Sequence, residues 1–303
     1  MNNQATSFET ATGLIDYGMT NDYMFRAVLQ THEDILKALV CSVLHLKESE
    51  IKTIEIRNPI ELGTSIDSKS YGLDLKLLLD NSKVINLEMQ VKDENNCPER
   101  SLGYLCRSFD NLNKGMDYAK VMPTIHIGFL DFTLFREYPE FHATYMLMNI
   151  KNHNTSRERS EGAYHIYSSK FMLKVIELNH IELATEEDKK FGIDSLSRER
   201  SEGAYRFARI FKAKTWEELR MCAGNDETLT KTAKVIYDYN SDFAIRDQCE
   251  AREAYYARER GTKQLIEEYE AELAANKEQL AAKDEQLAAQ AEEIARLKAL
   301  LNK

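Results

Sequence analysis

The sequence predicts an α/β domain, then an all-helical extension, then a terminal helical rod. Three observations predict it. Short apolar runs with strand-like alternation are interleaved with helix-period segments as far as residue 185. From there the pattern stays helical. At the end, Ile266, Leu273, Leu280, Leu287, Ile294 and Leu301 recur at heptad spacing, as in a coiled coil. The expected organisation is a disordered tail over 1–18, an α/β core over 19–185, a helical extension over 186–262 and a coiled coil over 263–303.

The elements follow in order. Residues 20–45 read as a helix, with Thr20 or Asn21 as N-cap and Phe25, Val28, Leu29, Ile35, Leu36, Leu39 and Val40 at helical spacing. "IKTIEIRNP" (51–59) reads as a strand ending before Pro59, and 60–70 as loop. "YGLDLKLLLD" and "KVINLEMQV" read as two strands joined by a tight turn at Asp80–Lys83, the clearest hairpin in the chain. Residues 97–114 look helical, with Gly115 suited to the position after the helix. "VMPTIHIGFLDF", "FHATYMLMNI" and "FMLKVIELN" are further strands, so a mixed sheet is expected. "TWEELRMCA" and "ETLTKTAKVIYDY" are helices leading into the rod. The second seam of the rod is weak, with Asn276, Lys283 and Gln290, so helix is favoured more strongly than any one oligomer. The nonamer "SRERSEGAY" occurs at 156–164 and again at 197–205, without a recurring period and without a physical explanation.

Composition narrows the function. At 303 residues and 43% hydrophobic, the chain can build a sizeable core. Its apolar runs fall far short of the roughly 20 residues of a membrane span, and the polar start reads as a tail on a cytoplasmic protein. Five scattered cysteines contain no CxxC pair, so reduced core thiols are expected rather than a zinc knuckle. The net charge of −10 argues against nonspecific coating of nucleic acid. No glycine-rich phosphate loop and no G-x-S-x-G elbow is present. Of the histidines, His126 reads as a satisfied core residue, and the others lack ligand spacing.

The hairpin carries the chemistry. Side chains alternate faces along a strand. Leu73, Leu75, Leu77 and Leu79 face one way, as do Ile85, Leu87, Met89 and Val91. Asp74 and Lys76 then share the opposite face with Asn86, Glu88, Gln90 and Lys92. Residues summing to about 162–164 oppose each other, which sets Asp74 beside Glu88. Adjacent carboxylates repel, and a hard divalent cation is an economical compensation. The same pattern fits an ordinary hairpin with a solvated face, the acids offset by Lys76 and Lys92.

Asp74, thirteen intervening residues and then Glu88-Met89-Gln90 resembles the PD-(D/E)XK nuclease signature, with Gln in the lysine place. "NDYMFRAVL", "LDLKLLLDNSKVINLEMQV", "ERSLGYLCRSFDNLNKGMDYAKVMPTIHIGFLDF" and "FKAKTWEEL" are similar to the Rpn family. These are bacterial recombination-promoting nucleases, also called PD-(D/E)XK nuclease family transposases. The resemblance covers roughly residues 20–260. It implies a restriction-endonuclease-like mixed sheet flanked by helices. It implies a Mg2+-dependent DNA endonuclease, with Mn2+ as a substitute, acting in recombination or in defence against phage and mobile elements. Asp74 and Glu88 match the metal-binding acids, the Met89 carbonyl a further ligand and Gln90 the last motif position. Asp22 is the candidate helical acid. Gln90 can orient water but supplies no charge, so Lys76 or Lys92 is a candidate source of it. Arg100, Tyr104 and Arg107 fall on one helix face, facing either a phosphate or a packing partner. A homodimer through 263–303 would bring two sites to one duplex. The competing expectation is a catalytically weak DNA-binding or protein-binding scaffold.

Overall fold

The structure is a computed structural model; it describes residues 7–57, 60–61, 71–72, 74–149, 166–186, 188 and 204–301. Both copies of the repeated nonamer lie outside these residues, as does Leu73.

Two helices open the chain, α1 (Asp22–Thr31) and α2 (Glu33–Leu44). Asn21 caps α1 by accepting from the Tyr23 and Met24 amides. The single helix expected over 20–45 is broken at His32, whose backbone is not helical. There the Thr31 hydroxyl meets Tyr239 of a later helix, and the bend lets both apolar faces enter one core.

Strands β1 (Ile54–Arg57), β4 (Leu75–Leu79) and β5 (Lys83–Gln90) form an antiparallel meander. A separate ribbon pairs β2 (Ile60–Glu61) with β3 (Tyr71–Gly72). The β4–β5 turn holds Asp80 and Asn81 at φ 48° and 52°, and the Ser82 amide donates to the Leu79 carbonyl. Two successive left-handed residues match the twist of a hairpin. Asp80 also accepts from the Lys52 and Thr53 amides, which anchors the turn to the start of β1.

Helix α3 (Cys97–Phe109) crosses to β6 (Thr124–Leu130), which lies parallel to β5. The helix is shorter than the expected 97–114. Asn111 ends it by bonding the Ser108 and Met122 carbonyls, and Gly115, at φ 85°, belongs to a later turn. Strands β7 (His142–Met146) and β8 (Phe171–Glu177) complete a six-stranded mixed sheet in the order β1-β4-β5-β6-β8-β7.

The sheet is buried on both faces in its centre. On one face Leu75, Leu77, Leu79, Ile85, Leu87, Met89, Ile125, Ile127, Phe129 and Ile176 join the main core. That core also takes α1, α2, α4 (Ala204–Lys212), α5 (Trp216–Ala223) and α6 (Glu227–Ser241). Phe211 of α4 packs edge-on against Phe25 and Phe129 at ring separations of 5.8 and 5.3 Å. Trp216 packs edge-on against Tyr237 at 5.2 Å. The helices after residue 203 therefore share the sheet's own core, and the first compact unit runs to Cys249.

Residues 7–18 also belong to it. Phe8 and Ala11 are buried, the Ile15 amide donates to the Lys214 carbonyl, and the Trp216 amide donates to the Gly13 carbonyl. The tail expected over 1–18 is thus packed from residue 7 onward, because its apolar side chains meet the α5–α6 layer.

The second unit begins at Glu250 and consists of the rest of α7 (Phe243–Leu301). Its heptad residues Ile266, Leu273, Leu280, Leu287 and Ile294 are all more than half exposed. No helix among the described residues is long and apolar enough to cross a membrane. All five cysteines are free thiols, with Cys41, Cys97 and Cys249 buried.

Candidate active site

Helix α3 covers the other face of the sheet at its centre. The Asn86 side chain donates to the Tyr104 carbonyl and accepts from the Ser108 hydroxyl. This is the face that alternation assigns to Asn86, Glu88 and Gln90. It is not the solvated face of a free hairpin: Asn86 is 0% exposed, Glu88 4% and Gln90 9%. β5 is an interior strand between β4 and β6, and α3 lies across it.

The register is Leu75 opposite Leu87 and Lys76 opposite Asn86, so Asp74 falls one step further, beside Glu88. β4 begins at Leu75, whereas β5 continues to Gln90. Beyond the described ladder, the Met89 amide donates to Asp74 Oδ2 at 2.7 Å. In an extended strand, a residue's N–H and C=O point to the same side. The Met89 carbonyl consequently shares the edge that Asp74 occupies.

Glu88 is gripped by Arg100 of α3. Nε and Nη2 approach the same carboxylate oxygen, Oε1, at 2.9 and 2.6 Å. The guanidinium also lies over the Tyr104 ring, 5.4 Å from its centroid. The other oxygen, Oε2, is 3.7 Å from His126 Nε2. Gln90 makes a local bond, its side-chain amide donating to the Lys92 carbonyl at 3.4 Å.

Electrostatics ties these groups together. Burial, then the charge of Glu88, pushes the Asp74 carboxyl up to about 7; the Met89 amide opposes the shift, Asp22 adds to it and Arg26 opposes it. Burial also raises Glu88, against the pull of Arg100. Burial works against the Arg100 charge, but Glu88 outweighs it and holds the guanidinium above its usual range. Burial raises the Tyr104 phenol to about 12, assisted by Glu88. His126 is pushed down to about 3 by burial and by Arg100, so its ring is neutral.

The residues singled out from sequence thus fall into two groups. Asp74, Glu88, the Met89 main chain and Arg100 are in direct contact or adjacent, and Asp22, buried at the start of α1, is close enough to act on Asp74. Lys76 sits one register step away, half-buried opposite Asn86. Lys92 lies past the end of β5 and is exposed, so strand alternation no longer governs its direction. Arg107 lies two turns beyond Arg100 on α3, next to Ser108. Sequence reasoning missed Arg26, one turn after Asp22 on α1, for which the i, i+4 spacing was the only signal. It also read His126 as satisfied, whereas among the described residues neither ring nitrogen has a hydrogen-bond partner.

The donor set fits a divalent cation. It offers hard oxygens, and it holds like charges whose mutual repulsion a cation relieves. Among the described residues, no three His, Cys, Asp or Glu side chains are gathered to hold a metal by themselves. Two carboxylates and a main-chain oxygen are the hard donors such a cation takes.

Helix α1, the β1-β4-β5 meander, α3 and β6 give an αβββαβ core, with Asp74, just before β4, bonded to β5, the strand that carries Glu88. The family model for the PD-(D/E)XK nuclease family transposases matches residues 19–264, and the chain belongs to that family. No curated protein and no solved structure matches the chain.

Proposed function

We propose that the protein is a metal-dependent DNA endonuclease of the Rpn type. The observation that carries this reading is the Asp74 carboxyl, pushed up to about 7 beside Glu88 and bonded to the Met89 amide at 2.7 Å. Such a group is costly to ionise alone and suited to sharing a cation. Asp74, Glu88 and the Met89 carbonyl would hold Mg2+, with Mn2+ as a substitute. The cation would supply Lewis acidity and lower the pKa of water.

The chain's own residues do the rest. Gln90 orients the attacking water by hydrogen bonds, since an amide neither carries charge nor takes a proton near neutral pH. Arg100 exchanges Glu88 for a DNA phosphate, a ligand that suits a guanidinium equally well. Lys76 and Arg26 add positive charge where the usual motif lysine is replaced by Gln90. Asp22 supports Asp74 from α1. The helix over 263–303 pairs with a second copy and brings two sites to one duplex. In a bacterial cytoplasm such cutting would promote recombination or act against phage and mobile elements.

A second reading, a catalytically weak DNA-binding or protein-binding scaffold, is favoured by the tight Arg100–Glu88 pair and by Gln90. Plasmid nicking separates the two. Supercoiled DNA with Mg2+ or Mn2+ should be nicked by wild type and left intact by Asp74→Ala. DNA binding without metal-dependent cutting by either protein would replace the nuclease reading with the scaffold.

A further inference from the structure

His126 lies on β6 directly beside Asn86 of β5, and Gly128 lies beside Glu88. Both face α3. Gly128 puts no side chain between the acid and the imidazole; a Cβ there would sit 3.8 Å from His126 Nε2. The ring is 0% exposed and stacked on Tyr104, with centroids 6.0 Å apart and planes 18° from parallel. Its two nitrogens are buried and, among the described residues, have no hydrogen-bond partner. A buried polar group left unsatisfied costs stability, so its presence calls for a reason. Nε2 is 3.7 Å from Glu88 Oε2, about 0.5 Å beyond a normal N–H···O bond. Arg100 takes only Oε1.

We propose that His126 is a positioning residue for Glu88: it donates from Nε2 to Oε2 and so fixes the orientation in which Glu88 presents Oε1. The inference rests on the reading of Glu88 as a metal-binding acid. While Arg100 is on Oε1, the carboxylate is drawn toward α3 and the His126 bond stays long. When a cation takes Oε1 and Arg100 gives it up, Oε2 can close on His126, which keeps the acid from rotating. Groups that orient metal-binding side chains in this way typically contribute about 10–100-fold to metal affinity.

The structure separates this role from packing. An apolar side chain of similar volume at 126 leaves no unsatisfied nitrogen, so His126→Leu should be at least as heat-stable as wild type without metal. The test is Mn2+ binding to the full chain by titration calorimetry, without DNA. Affinity should fall about tenfold in His126→Leu and return to within a few-fold of wild type in His126→Gln, which keeps an N–H donor. Equal affinity in wild type and His126→Leu would overturn the inference and leave the nuclease reading standing. Absence of Mn2+ binding by wild type would overturn both. Should His126→Leu not fold, the wild-type ring decides: its 15N resonances should shift on adding Mg2+, and unmoved resonances would overturn the inference.

Discussion

Asp74 is built against its own ionisation. Its carboxyl is raised to about 7, where an unfolded chain would titrate near 4. The sign follows from linkage: a raised folded-state pKa means stability that is full below the unfolded value and lost as pH rises through the folded one. Asp74→Asn keeps the acceptor for the Met89 amide and removes the charge. Without metal at pH 8, it should raise stability by about 1–4 kcal/mol, and the gain should vanish near pH 3. Calorimetry across that range checks it; a destabilised variant at pH 8 would contradict the described electrostatics. Arg100→Ala acts in the other direction, leaving Glu88 buried without its cation. It should cost about 2 kcal/mol at pH 8 and less at pH 5, because burial already favours the protonated carboxyl and acid favours it further. Urea denaturation at both values reads the difference. The closeness of Asp74 and Glu88 was legible in the sequence, because strand alternation and one hairpin register are local properties. Arg26 and His126 were not, because their closeness to the site depends on how α1 and β6 dock, and no spacing within one element encodes that.

At the scale of elements, α4 shows how far periodicity reaches. The stretch after residue 185 reads as helical in general, but neither this helix nor its place was singled out. An amphipathic helix announces that it buries a face, not which surface receives it. Phe211 meets Phe25 and Phe129 and is 2% exposed, so α4 completes the core under the sheet. Phe211→Ala should cost about 3–5 kcal/mol, measured by urea denaturation. A chain ending at residue 185 should fail to fold cooperatively, since it would expose Phe25 and Phe129; a sharp thermal transition in that fragment would refute a shared core. The opening segment teaches the same lesson. Its polar composition suggested a tail, yet Phe8 and Ala11 are enough to seat it on α5 and α6.

At the scale of the molecule, the rod is a compact unit of its own, beginning at Glu250. Its heptad side chains are exposed in the single chain, which is the condition a second copy would relieve. Light scattering should give a dimer for the full chain and a monomer for a chain ending at Gly261. An unchanged particle mass per chain count would remove the rod from the assembly. The truncated protein should keep the melting temperature of the first unit. Residues 263–303 carry 6 basic and 9 acidic side chains, so their removal takes −3 from the net charge of the chain. Association with DNA by the truncated chain should therefore be no weaker at low salt, apart from any loss of bivalency.

The chain contains a single tryptophan, Trp216, 8% exposed and set edge-on against Tyr237. Its amide is also the one held by the Gly13 carbonyl. Intrinsic fluorescence is therefore a one-probe report on the helical layer and the segment that leads into α1. It is blind to the acids on the far side of the sheet. A variant that loses cutting while its emission spectrum and unfolding curve stay fixed has been altered in chemistry alone, and that distinction comes with the native sequence, without any label.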